Sequence, residues 1–582
     1  MATKYAAGVL LGISITLNCC GTDHMGKDRY IALMEKILYA YSNEHIDDYY
    51  NSVKRDGLKE HGFPRLTANI GILLAHNKRS DLRNRFVKMM DLCCQQIPLV
   101  KRSGNEFSIR EIVFALLELE KNKSFPPEQI ECWKSGLKRV TVENCYRVYA
   151  VEPDSKVSNW AAFAMSSEWM RYYIKAASAD EKFIDIQAAS QLQALDDNGM
   201  YRDPGEPMVY DLVPRGLFAV LFHFGYRGKY FEMWDDALKR AGLHTLKMLS
   251  VTGEIPYGGR SNQFLYNEAL TAIIAEYEAN RYFKLGDIKT ASQFKTAVKR
   301  NLDSIELWLN NQPINHVKNF FPRSSGYGCE KYAYFDKYMI TAASYLFTAY
   351  LLSDDNIPVG TADDLSGESF QTTDHFHKLF LRAGEYFTEY DYRADYKYDA
   401  SGLGRLHRKG APSAISLSTP GTDTPNYEVN ADDAVAFSIV PQVMYDGIWL
   451  SGADRDAVHK IVRHESGKTD ASAVIDCIWQ NKEQIRSSYL LNKDGLQITV
   501  SGKGAVGLMI PAFSFDGKEN TQIICRSKTL AVQYKNWQCV YELTAGTIVN
   551  TGKTGYNRNG HYKLFRAVND GTLTVKISIS KY

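Results

Sequence analysis

Apolar residues recur at three- and four-residue steps along the first part of the chain, from about Asp28 to Ser353. This is the period of an amphipathic helix. It is repeated in RYIALMEKILYAYS, NRFVKMMDLCCQQI, REIVFALLELEKN, NWAAFAMSSEWMRYYIKAA, DLVPRGLFAVLFHFGY and KYMITAASYLFTAYLLS. Turn-rich insertions such as DDNGMYRDPGEP and FFPRSSGYGCEK separate these segments. The rhythm predicts helical hairpins stacked in a ring, with the loops at one end forming a site.

After about Asp355 the pattern changes. The stretch NIPVGTADDLSGESFQTTD is polar and contains Gly and Pro, and HFHKLFLRAGEYF suits either a last helix or a first strand. Period-two runs follow in SAISLST, LQITVSG, QIICRSKTLAVQYK, QCVYELTAGTIV and TLTVKISIS, separated by the turn signals KDG, FDGK and NDGT. We therefore predict an α+β multidomain chain. It has an (α/α) toroid over 28–354, a linker over 355–375 and an antiparallel β-sandwich over 376–582.

Composition narrows the function classes. The chain has 582 residues, and its 69 basic and 67 acidic residues nearly cancel to a formal charge of +2. No net field therefore attracts nucleic acid or an anionic membrane, and we expect no nucleic-acid partner. The 37 Tyr, 26 Phe and 8 Trp are numerous. Such flat amphipathic rings occur where proteins meet sugars, but they also fill large helical cores.

The N-terminus predicts export. Lys4 precedes the apolar run AAGVLLGISITL, which ends at NCCG and is too short to span a bilayer. Leu17 stands three residues before Cys20, and Gly21 follows, as in a bacterial lipoprotein cleavage box. We expect a signal peptide over 1–20 and attachment to a membrane through a lipidated Cys20. The protein would then be periplasmic or an outer-membrane lipoprotein of a bacterium; plain secretion is the alternative.

The eight later cysteines contain no CxxC pair, so their spacing does not suggest a zinc ribbon. In an exported protein some of them can form disulfides, but spacing alone does not give the pairing. Asp374, His375 and His377 in TDHFHK suggest a metal site, yet no third ligand stands nearby in sequence. We expect no metal and no cofactor. No P-loop, dinucleotide fingerprint or GxSxG elbow is present.

The stretch IPYGGRSNQFLYNEA concentrates side chains that can grip a polar ligand where a helix is predicted to start. Its glycines allow a sharp turn, and Ser261 or Asn262 is a plausible N-cap. Arg260 offers a planar fork for a carboxylate. Asn262, Gln263 and Tyr266 supply neutral hydrogen bonds. The structural alternative is that these residues only cap the helix and form internal pairs.

A second cluster, SSGYGCEKYAYFDKYM, brings phenols close together after another Gly-containing turn. On a helix Tyr334 and Tyr338 share one face, whereas Tyr332 does not. A tyrosine can carry a proton when a nearby cation lowers its pKa. Alternatively, these rings simply fill the interior of the toroid.

A third cluster lies in GRLHRKGAPSAISLSTP, at the entry to a predicted strand. In an extended segment Arg405 and His407 face one way and Arg408 the other. Further polar candidates are Tyr201 and Arg202 in NGMYRDPGEPMVYD, and Trp160 could stack on a sugar or be buried in the core.

The toroid–sandwich order, with YGGRSNQFLYNEA, GMYRDPGEPMVYD, GCEKYAYFDKYM and GRLHRKGAPSAISLSTP, resembles the heparinase II/III-like polysaccharide lyases. The phrases look like a Bacteroidetes branch that includes lyases releasing rhamnose from glucuronate. The resemblance implies cleavage of a uronate-containing oligo- or polysaccharide by β-elimination. One departure stands out: Tyr266 and Asn267 occupy positions where related lyases carry an Asn-His pair.

The resemblance implies that Arg260 and Asn262 bind the uronate carboxylate and that Arg405 is a second residue binding this group. Donors of this kind acidify the C5 proton and stabilise the enolate-like intermediate. Tyr334 would carry a proton at C5 or O4, His407 would contribute from the sandwich, and Tyr266 is an alternative base. The remaining candidates for substrate binding are Gln263, Tyr338, Trp160, Tyr201 and Arg202.

Two other functions stay open at this point. A glycoside hydrolase on the same toroid needs paired carboxylates. The candidates are Asp203, Asp211, Glu268, Glu330 and Asp336. A non-catalytic glycan-binding lipoprotein would explain the aromatic residues and the export signal, but less well the clustered Arg, Tyr and His.

Overall fold

The structure is a computed structural model that describes residues 26–101, 104–150, 157–178, 180–360, 366–429, 434–480 and 483–582. The predicted signal peptide over 1–20 and the predicted lipid-bearing Cys20 lie outside the described residues. In the described part, no helix is long and apolar enough to cross a membrane.

The first part of the chain is helical, as its period predicted. The helices are α1 (Asp28–Leu38), α2 (Asn43–Asp56), α3 (Gly62–Ala75), α4 (Arg83–Gln96), α5 (Asn105–Lys121), α6 (Pro127–Lys138), α7 (Val142–Cys145), α8 (Arg147–Ala150), α9 (Asn159–Tyr173), α10 (Glu181–Leu192), α11 (Met208–His223), α12 (Phe231–Met248), α13 (Tyr266–Lys284), α14 (Ile288–Leu309) and α15 (Phe335–Leu352).

Six of these helices form a closed inner ring. Helices α3, α5, α9, α11, α13 and α15 each pack against the next, and α15 packs against α3. Outer helices lie against them, α1 on α15, α4 on α3, α10 on α9 and α14 on α13. Every residue of the inner helix α3 is buried, whereas the outer helix α14 buries one face. This contrast is that of enclosed and surface helices, and it confirms the predicted toroid.

The second part of the chain is built from antiparallel strands. The strands are β1 (Glu368–Gln371), β2 (Lys378–Ala383), β3 (Tyr386–Asp391), β4 (Gly402–Arg408), β5 (Pro441–Tyr445), β6 (Ile448–Ser451), β7 (Val458–Ser466), β8 (Ala471–Ile478), β9 (Gln484–Asn492), β10 (Gly495–Phe515), β11 (Gln522–Cys525), β12 (Thr529–Tyr534), β13 (Trp537–Leu543), β14 (Thr547–Asn557) and β15 (Gly560–Lys581).

These strands form two sheets that face each other. The smaller sheet has the order β1-β2-β3-β4. The larger has the order β11-β12-β13-β15-β10-β9-β8-β7, with β14 beside β15, β5 beside β10 and β6 beside β5. Leu379 and Tyr390 of the smaller sheet share one core with Ile475 and Tyr489 of the larger. The predicted β-sandwich is thereby confirmed, with alternate residues of each strand facing the common core.

The junction between the parts differs in detail from the sequence pattern. The last toroid helix ends at Leu352, and β1 lies inside the stretch predicted as a linker. The segment HFHKLFLRAGEYF, which suited a helix or a strand, forms the hairpin of β2 and β3, with Gly384 at φ +57° in its turn. Because β1 pairs with β2, the residues before His375 already belong to the smaller sheet.

The eight cysteines within the described residues are all free thiols, and six of them are buried. The possible disulfides that the sequence left open are therefore not formed among these residues. The six buried cysteines act as small apolar side chains, and burial raises the pKa of the Cys93 thiol to about 12.

Candidate functional site

The inner helices begin at one end of the ring, and side chains from their first turns meet there. The guanidinium carbon of Arg65, in the first turn of α3, lies 5.5 Å from the ring centre of Phe107 in α5. Phe107 in turn lies 4.8 Å from Trp160, the second residue of α9. On the other side of the ring, Tyr266 of α13 lies 5.7 Å from Tyr338 of α15. Helix N-termini carry partial positive charge, so this end of the toroid favours an anion.

The stretch Ile255–Ala269 contributes a loop to this end rather than an early helix. Helix α13 begins only at Tyr266, with Leu265 before it, so the prediction that Ser261 or Asn262 caps the helix is wrong. The reason is local geometry, because Gly258, Gly259, Ser261 and Gln263 all have positive φ. Four such residues within six positions exclude a helix and fold the segment into a compact loop.

Within this loop Ser261 joins two phenols. Its hydroxyl lies 2.9 Å from the Tyr332 hydroxyl and 3.2 Å from the Tyr210 hydroxyl. Its backbone N–H donates to Glu330 Oε1 at 2.6 Å, and Glu330 also accepts from Arg558 Nη2 at 2.8 Å. A buried ion pair that includes a β-domain residue therefore fixes the backbone from which Ser261 contacts both rings.

Arg260 stands beside these phenols. It donates to an oxygen of Asp203 and, through Nη1, to the carbonyl of Pro204 at 2.5 Å. Its guanidinium carbon lies 4.5 Å from the ring centre of Tyr210, and its side chain is 26% exposed. The guanidinium is thus held in place by protein contacts on one edge while part of it remains open to a ligand, which is the arrangement that carboxylate binding needs.

Tyr334 and Tyr338 do not share a helix face, contrary to the sequence prediction. Tyr334 precedes α15 in an extended conformation, with φ −74° and ψ 161°. Tyr338 instead approaches Tyr332, with 5.9 Å between ring centres. Lys337 lies near both rings: its Nζ is 5.8 Å from the ring centre of Tyr334 and 5.7 Å from that of Tyr338. We call Tyr210, Tyr332, Tyr334, Tyr338, Arg260, Ser261 and Lys337 the tyrosine cluster.

The phenols of the cluster hold their protons strongly. Burial raises the pKa of Tyr332, Tyr334 and Tyr338, and the neighbouring carboxylates of Glu330 and Glu60 add to this. Arg558 lowers the pKa of Tyr332 and Arg65 that of Tyr338, but burial outweighs both, so the lowered phenol pKa that proton transfer was expected to use is not found in these three. At neutral pH each hydroxyl is a proton donor rather than a base.

Lys337 has the opposite shift. Burial lowers its pKa; the Glu60 carboxylate opposes this shift and the Arg65 guanidinium adds to it, but burial is the largest contribution. Among the described residues, no carboxylate lies within ion-pair distance of its Nζ. An amine in these surroundings gives up its proton more readily than a solvent-exposed lysine.

A shallow cavity of about 420 Å³ lies at the start of α2. It is lined by Ser42, Glu44, His45, Asp48, Tyr49 and Asp336. Tyr49 hydrogen-bonds to Glu60, the same carboxylate that raises the pKa of Tyr334. Tyr49 therefore lines the cavity and shares the neighbour Glu60 with Tyr334, which itself is not one of the lining residues.

Several predicted site residues form hydrogen bonds or aromatic contacts with other residues of the protein. Asn262 Nδ2 donates to the carbonyl of Pro256 at 3.2 Å, and its Oδ1 accepts from Gln263 Nε2 at 3.0 Å. Gln263 Oε1 accepts from Asn559 Nδ2 of the β-domain at 3.1 Å. Tyr266 is buried between aromatic rings, and burial raises its pKa. Their side chains shape the loop around the cluster.

Arg405 and His407 lie on the face of β4 that the toroid covers. His407 Nδ1 is 2.7 Å from Ser250 Oγ, and Arg405 Nη1 donates to the carbonyl of Ile255 at 2.6 Å. Both contact the toroid, whereas Arg408 Nη1 donates to the carbonyl of Ile579 in β15, so Arg408 faces the other way, as the alternation predicted. Burial and Arg405 lower the pKa of His407 to about 3. None of the described hydrogen bonds or ion pairs joins either residue to the tyrosine cluster.

Of the other predicted binding residues, one lies near the cluster and two make contacts elsewhere in the protein. Trp160 is partly exposed. It lies near the cluster, because the preceding residue, Asn159, donates to Asp203, which is the partner of Arg260. Tyr201 is fully buried and hydrogen-bonds to Gln191. Arg202 Nη2 donates to the carbonyl of Gln193 at 2.9 Å, at the end of α10. Only Trp160 of these three borders the open end of the ring.

Each carboxylate that a hydrolase would use is bound to a basic side chain. The pairs are Asp203–Arg260, Asp211–Arg215, Glu268–Lys318, Glu330–Arg558 and Asp336–His45. The two histidines considered for a metal are also engaged, His375 with Glu206 at 3.0 Å and His377 with Asp391 at 2.7 Å. Within the described residues, no group of three or more such side chains is arranged to hold a metal ion.

Comparison with known proteins gives structural neighbours only. No protein-family model and no curated protein matches the sequence. In fold, the chain is similar to heparinase III. That match has 9% identity and a TM-score of 0.38, and covers 96% of this chain and 92% of the other.

Two further solved structures are similar over most of their length. The chondroitin AC lyase of Streptomyces coelicolor A3, in complex with chondroitin sulphate, has 9% identity and a TM-score of 0.47, with 94% and 83% of the two chains covered. The heparan sulfate lyase HepC of Pedobacter heparinus has 10% identity and a TM-score of 0.32, with 86% and 76% covered. At such low sequence identities and TM-scores the similarity concerns the fold and does not extend to activity or substrate.

Sequence reasoning missed two residues of the site. Lys337 stands inside the phrase GCEKYAYFDKYM, where its position between two tyrosines was the available signal. Arg558 lies in the turn between β14 and β15, more than 200 residues from its partner Glu330. No local pattern connects those two positions.

Proposed function

We propose that this protein is a polysaccharide or oligosaccharide lyase that cleaves a uronate-containing glycan by β-elimination at the tyrosine cluster. The observation that carries the proposal is the Ser261 hydroxyl between two protonated phenols, next to the partly open guanidinium of Arg260. A cation and proton-donating phenols at one place are the groups that elimination from a uronate requires.

Arg260 would bind the C6 carboxylate. Its guanidinium is positioned by Asp203 and Pro204, so that little reorganisation is needed when the substrate binds. The N-termini of the inner helices add partial positive charge at the same end of the ring. Together they would stabilise the enolate-like intermediate that forms when the C5 proton leaves.

Lys337 and Tyr332 would move the protons. In its deprotonated form, which the lowered pKa makes easier to reach, the Lys337 amine takes the C5 proton, the C5 electron pair forms the C4–C5 double bond, and the C4–O4 bond breaks. Tyr332, whose raised pKa keeps it protonated, donates its proton to the departing O4. Transfer of the proton from the Lys337 ammonium to the Tyr332 phenolate restores the starting state, so no water or other reactant is consumed. Tyr334 is the alternative donor, since its phenol is 45% exposed.

The hydrolase alternative is less well supported, because all five candidate carboxylates are ion-paired to basic residues. A glycan-binding protein without activity would not need the combination of protonated phenols and a lysine with a lowered pKa. Export, the lipid at Cys20 and a rhamnose–glucuronate linkage remain parts of the proposal that rest on the N-terminal sequence and the family resemblance.

A glycan panel tests the reaction class. Incubation with a cleavable uronate glycan should raise the ultraviolet absorbance of an unsaturated uronate, and the product masses should sum to the substrate without added water. Products that carry an added water would contradict elimination and support hydrolysis. A complete lack of products across rhamnosyl-glucuronate, heparan, chondroitin and alginate substrates would also count against the proposal.

Variants then test the site. Tyr332→Phe and Lys337→Met should each lower kcat by about 10²–10⁴-fold, the usual contribution of a positioned acid or base. Arg260→Met should lower kcat/KM by about 10²-fold or more. Tyr39→Phe is the matched control, because Tyr39 is 66% exposed just after the end of α1 and its variant should keep full activity. Full activity in all three cluster variants would show that the reaction, if present, occurs elsewhere.

A further inference from the structure

The β-domain carries a second cavity, of about 540 Å³. Strands β5, β6, β10, β14 and β15 contribute to its wall, together with the loop after β6. Its volume lies within the range of pockets that bind small molecules. No residue of the tyrosine cluster lines it. We call it the Trp449 basin.

An aromatic ring with an attached cation forms one side of the basin. The guanidinium carbon of Arg566 lies 4.4 Å from the ring centre of Trp449, and Arg566 Nε donates to Gln442 Oε1 at 2.6 Å. Trp449 is partly exposed on an edge of the larger sheet, and its ring packs beside Gly507, where a Cβ would approach it to 3.1 Å. The ring and the guanidinium are thus both fixed before any ligand arrives.

A bulge supplies a second cation. The register between β14 and β15 shifts between Asn550 and Thr554, and Gly552 in this bulge has φ +73°. The bulge brings Lys553 to the basin. Within the described residues, Lys553 has no ion-pair partner. Bulges are a common means of redirecting a side chain towards a binding site.

Acidic and amide groups provide hydrogen-bond acceptors. Asp454 accepts from the Ser451 N–H at 2.7 Å and retains acceptor capacity at the basin wall. Asp423 is neutralised by Arg455 at 2.6 Å. The basin lining holds an aromatic surface, three carboxylates (Asp423, Asp454 and Asp456) and three cations (Arg455, Lys553 and Arg566). Because Arg455 is paired with Asp423, Lys553 and Arg566 are the cations of the described lining without an ion-pair partner. Sugar rings with a carboxylate present the complementary groups.

The basin is connected to the tyrosine cluster through a short segment. Asp423 of the basin is four residues from Tyr427, so the intervening backbone spans at most about 14 Å. The guanidinium carbon of Arg558 lies 4.1 Å from the Tyr427 ring centre, and Arg558 pairs with Glu330, which binds the Ser261 N–H. The segment from Asp423 to Tyr427, together with Arg558 and Glu330, therefore connects the basin with the Ser261 loop.

We infer that the Trp449 basin is a second carbohydrate-binding site, which takes a uronate residue with its ring against Trp449 and its carboxylate towards Lys553 and Arg566. The choice of an acidic sugar rests partly on the proposed function. The site itself rests on the contacts within the basin.

Fluorine NMR of protein labelled with 5-fluorotryptophan tests this inference, with D-glucuronic acid as the probe and D-glucose as the neutral comparison. The Trp449 signal is assigned as the one that Trp449→Phe removes. Glucuronic acid should shift this signal saturably, and glucose should shift it much less. Lys553→Met should raise the Kd for glucuronic acid at least fivefold. Lys88→Met, at an exposed lysine on α4, should leave the Kd unchanged.

The outcomes separate this inference from the proposed lyase activity. A Trp449 signal that does not respond, or that responds equally to glucose, overturns the inference even if wild-type protein yields unsaturated products. A responding signal in a protein without lyase activity supports the basin and counts against the proposed function. An unchanged Kd in Lys553→Met also overturns the assigned orientation, because Lys553 is exposed and its replacement does not disturb the fold.

Discussion

The buried pair of Glu330 and Arg558 is predicted to stabilise the contact between the β-domain and the loop that carries Ser261. Both side chains are 2% exposed, and Arg558 Nη2 lies 2.8 Å from Glu330 Oε1. At that distance and an effective dielectric constant of about 20, the attraction is about 6 kcal/mol. Much of this is offset by the cost of removing both charges from water, so the net contribution of the pair is smaller.

Arg558→Met removes one partner and leaves the carboxylate buried without its cation. Such a change costs about 3–5 kcal/mol, because the remaining charge keeps its desolvation cost and loses its compensation. We expect the free energy of unfolding, measured by urea titration with circular dichroism and tryptophan fluorescence, to fall by this amount. The contact of the guanidinium with the Tyr427 ring, at 4.1 Å, adds to the loss.

Two comparisons make this result specific. The double variant Glu330→Gln with Arg558→Met removes both charges and should recover part of the loss, since a neutral amide is less costly to bury than an unpaired carboxylate. Arg85→Met breaks the Arg85–Asp47 pair, whose side chains are 31% and 49% exposed, and should change stability by less than about 1 kcal/mol. If Arg558→Met is no more destabilising than Arg85→Met, the assigned role of the buried pair is wrong.

Two further predictions concern the loop that carries Arg260. Gly259→Ala should destabilise by about 2–4 kcal/mol in urea unfolding, because Gly259 has φ +74° and its new Cβ would lie 2.6 Å from Pro207 Cβ. Gly286→Ala, at φ +79° with nothing within 4 Å, isolates the conformational part of about 1–2 kcal/mol, and equal losses in the two variants would exclude the predicted clash. Burial raises the pKa of Asp399, which accepts from the Gly259 N–H, to about 7. The folded state therefore holds this proton up to about pH 7, whereas the unfolded chain releases it near pH 4, so stability should fall as pH rises between these values. Asp399→Asn should flatten the pH profile of the unfolding free energy by up to about 4 kcal/mol, and an unchanged profile would contradict the raised pKa.

The fold could be predicted from the sequence because it depends on patterns that are local. Inner helices such as α3 are mostly apolar and are buried on every side, outer helices such as α14 bury one face, and strands such as β9 alternate with period two. These periods follow from the geometry of each element alone. The closing contact of α15 on α3 completes the ring that the repeated hairpins indicated.

The site was only partly predictable, because its contacts join distant positions. The amide of Gln263 looked available for a ligand, but it binds Asn559, 296 residues further along the chain. Arg405 and His407 were correctly placed on one face of a strand, yet nothing in the local sequence shows that the toroid covers that face. Tyr332 appeared out of phase with Tyr338 only because the helix was assumed to begin before Phe335.

These long-range contacts assign the β-domain a direct part in shaping the site. The Ser261 backbone is held by Glu330 and thereby by Arg558, and the Gly259 N–H is held by Asp399. The loop therefore takes its conformation from two β-domain side chains, one on each side of Arg260. Because Arg260 and the Ser261 hydroxyl define where an anion and a proton donor meet, their spacing depends on the docking of the two domains. A change at this interface should consequently alter the cluster even when every residue of the cluster is retained.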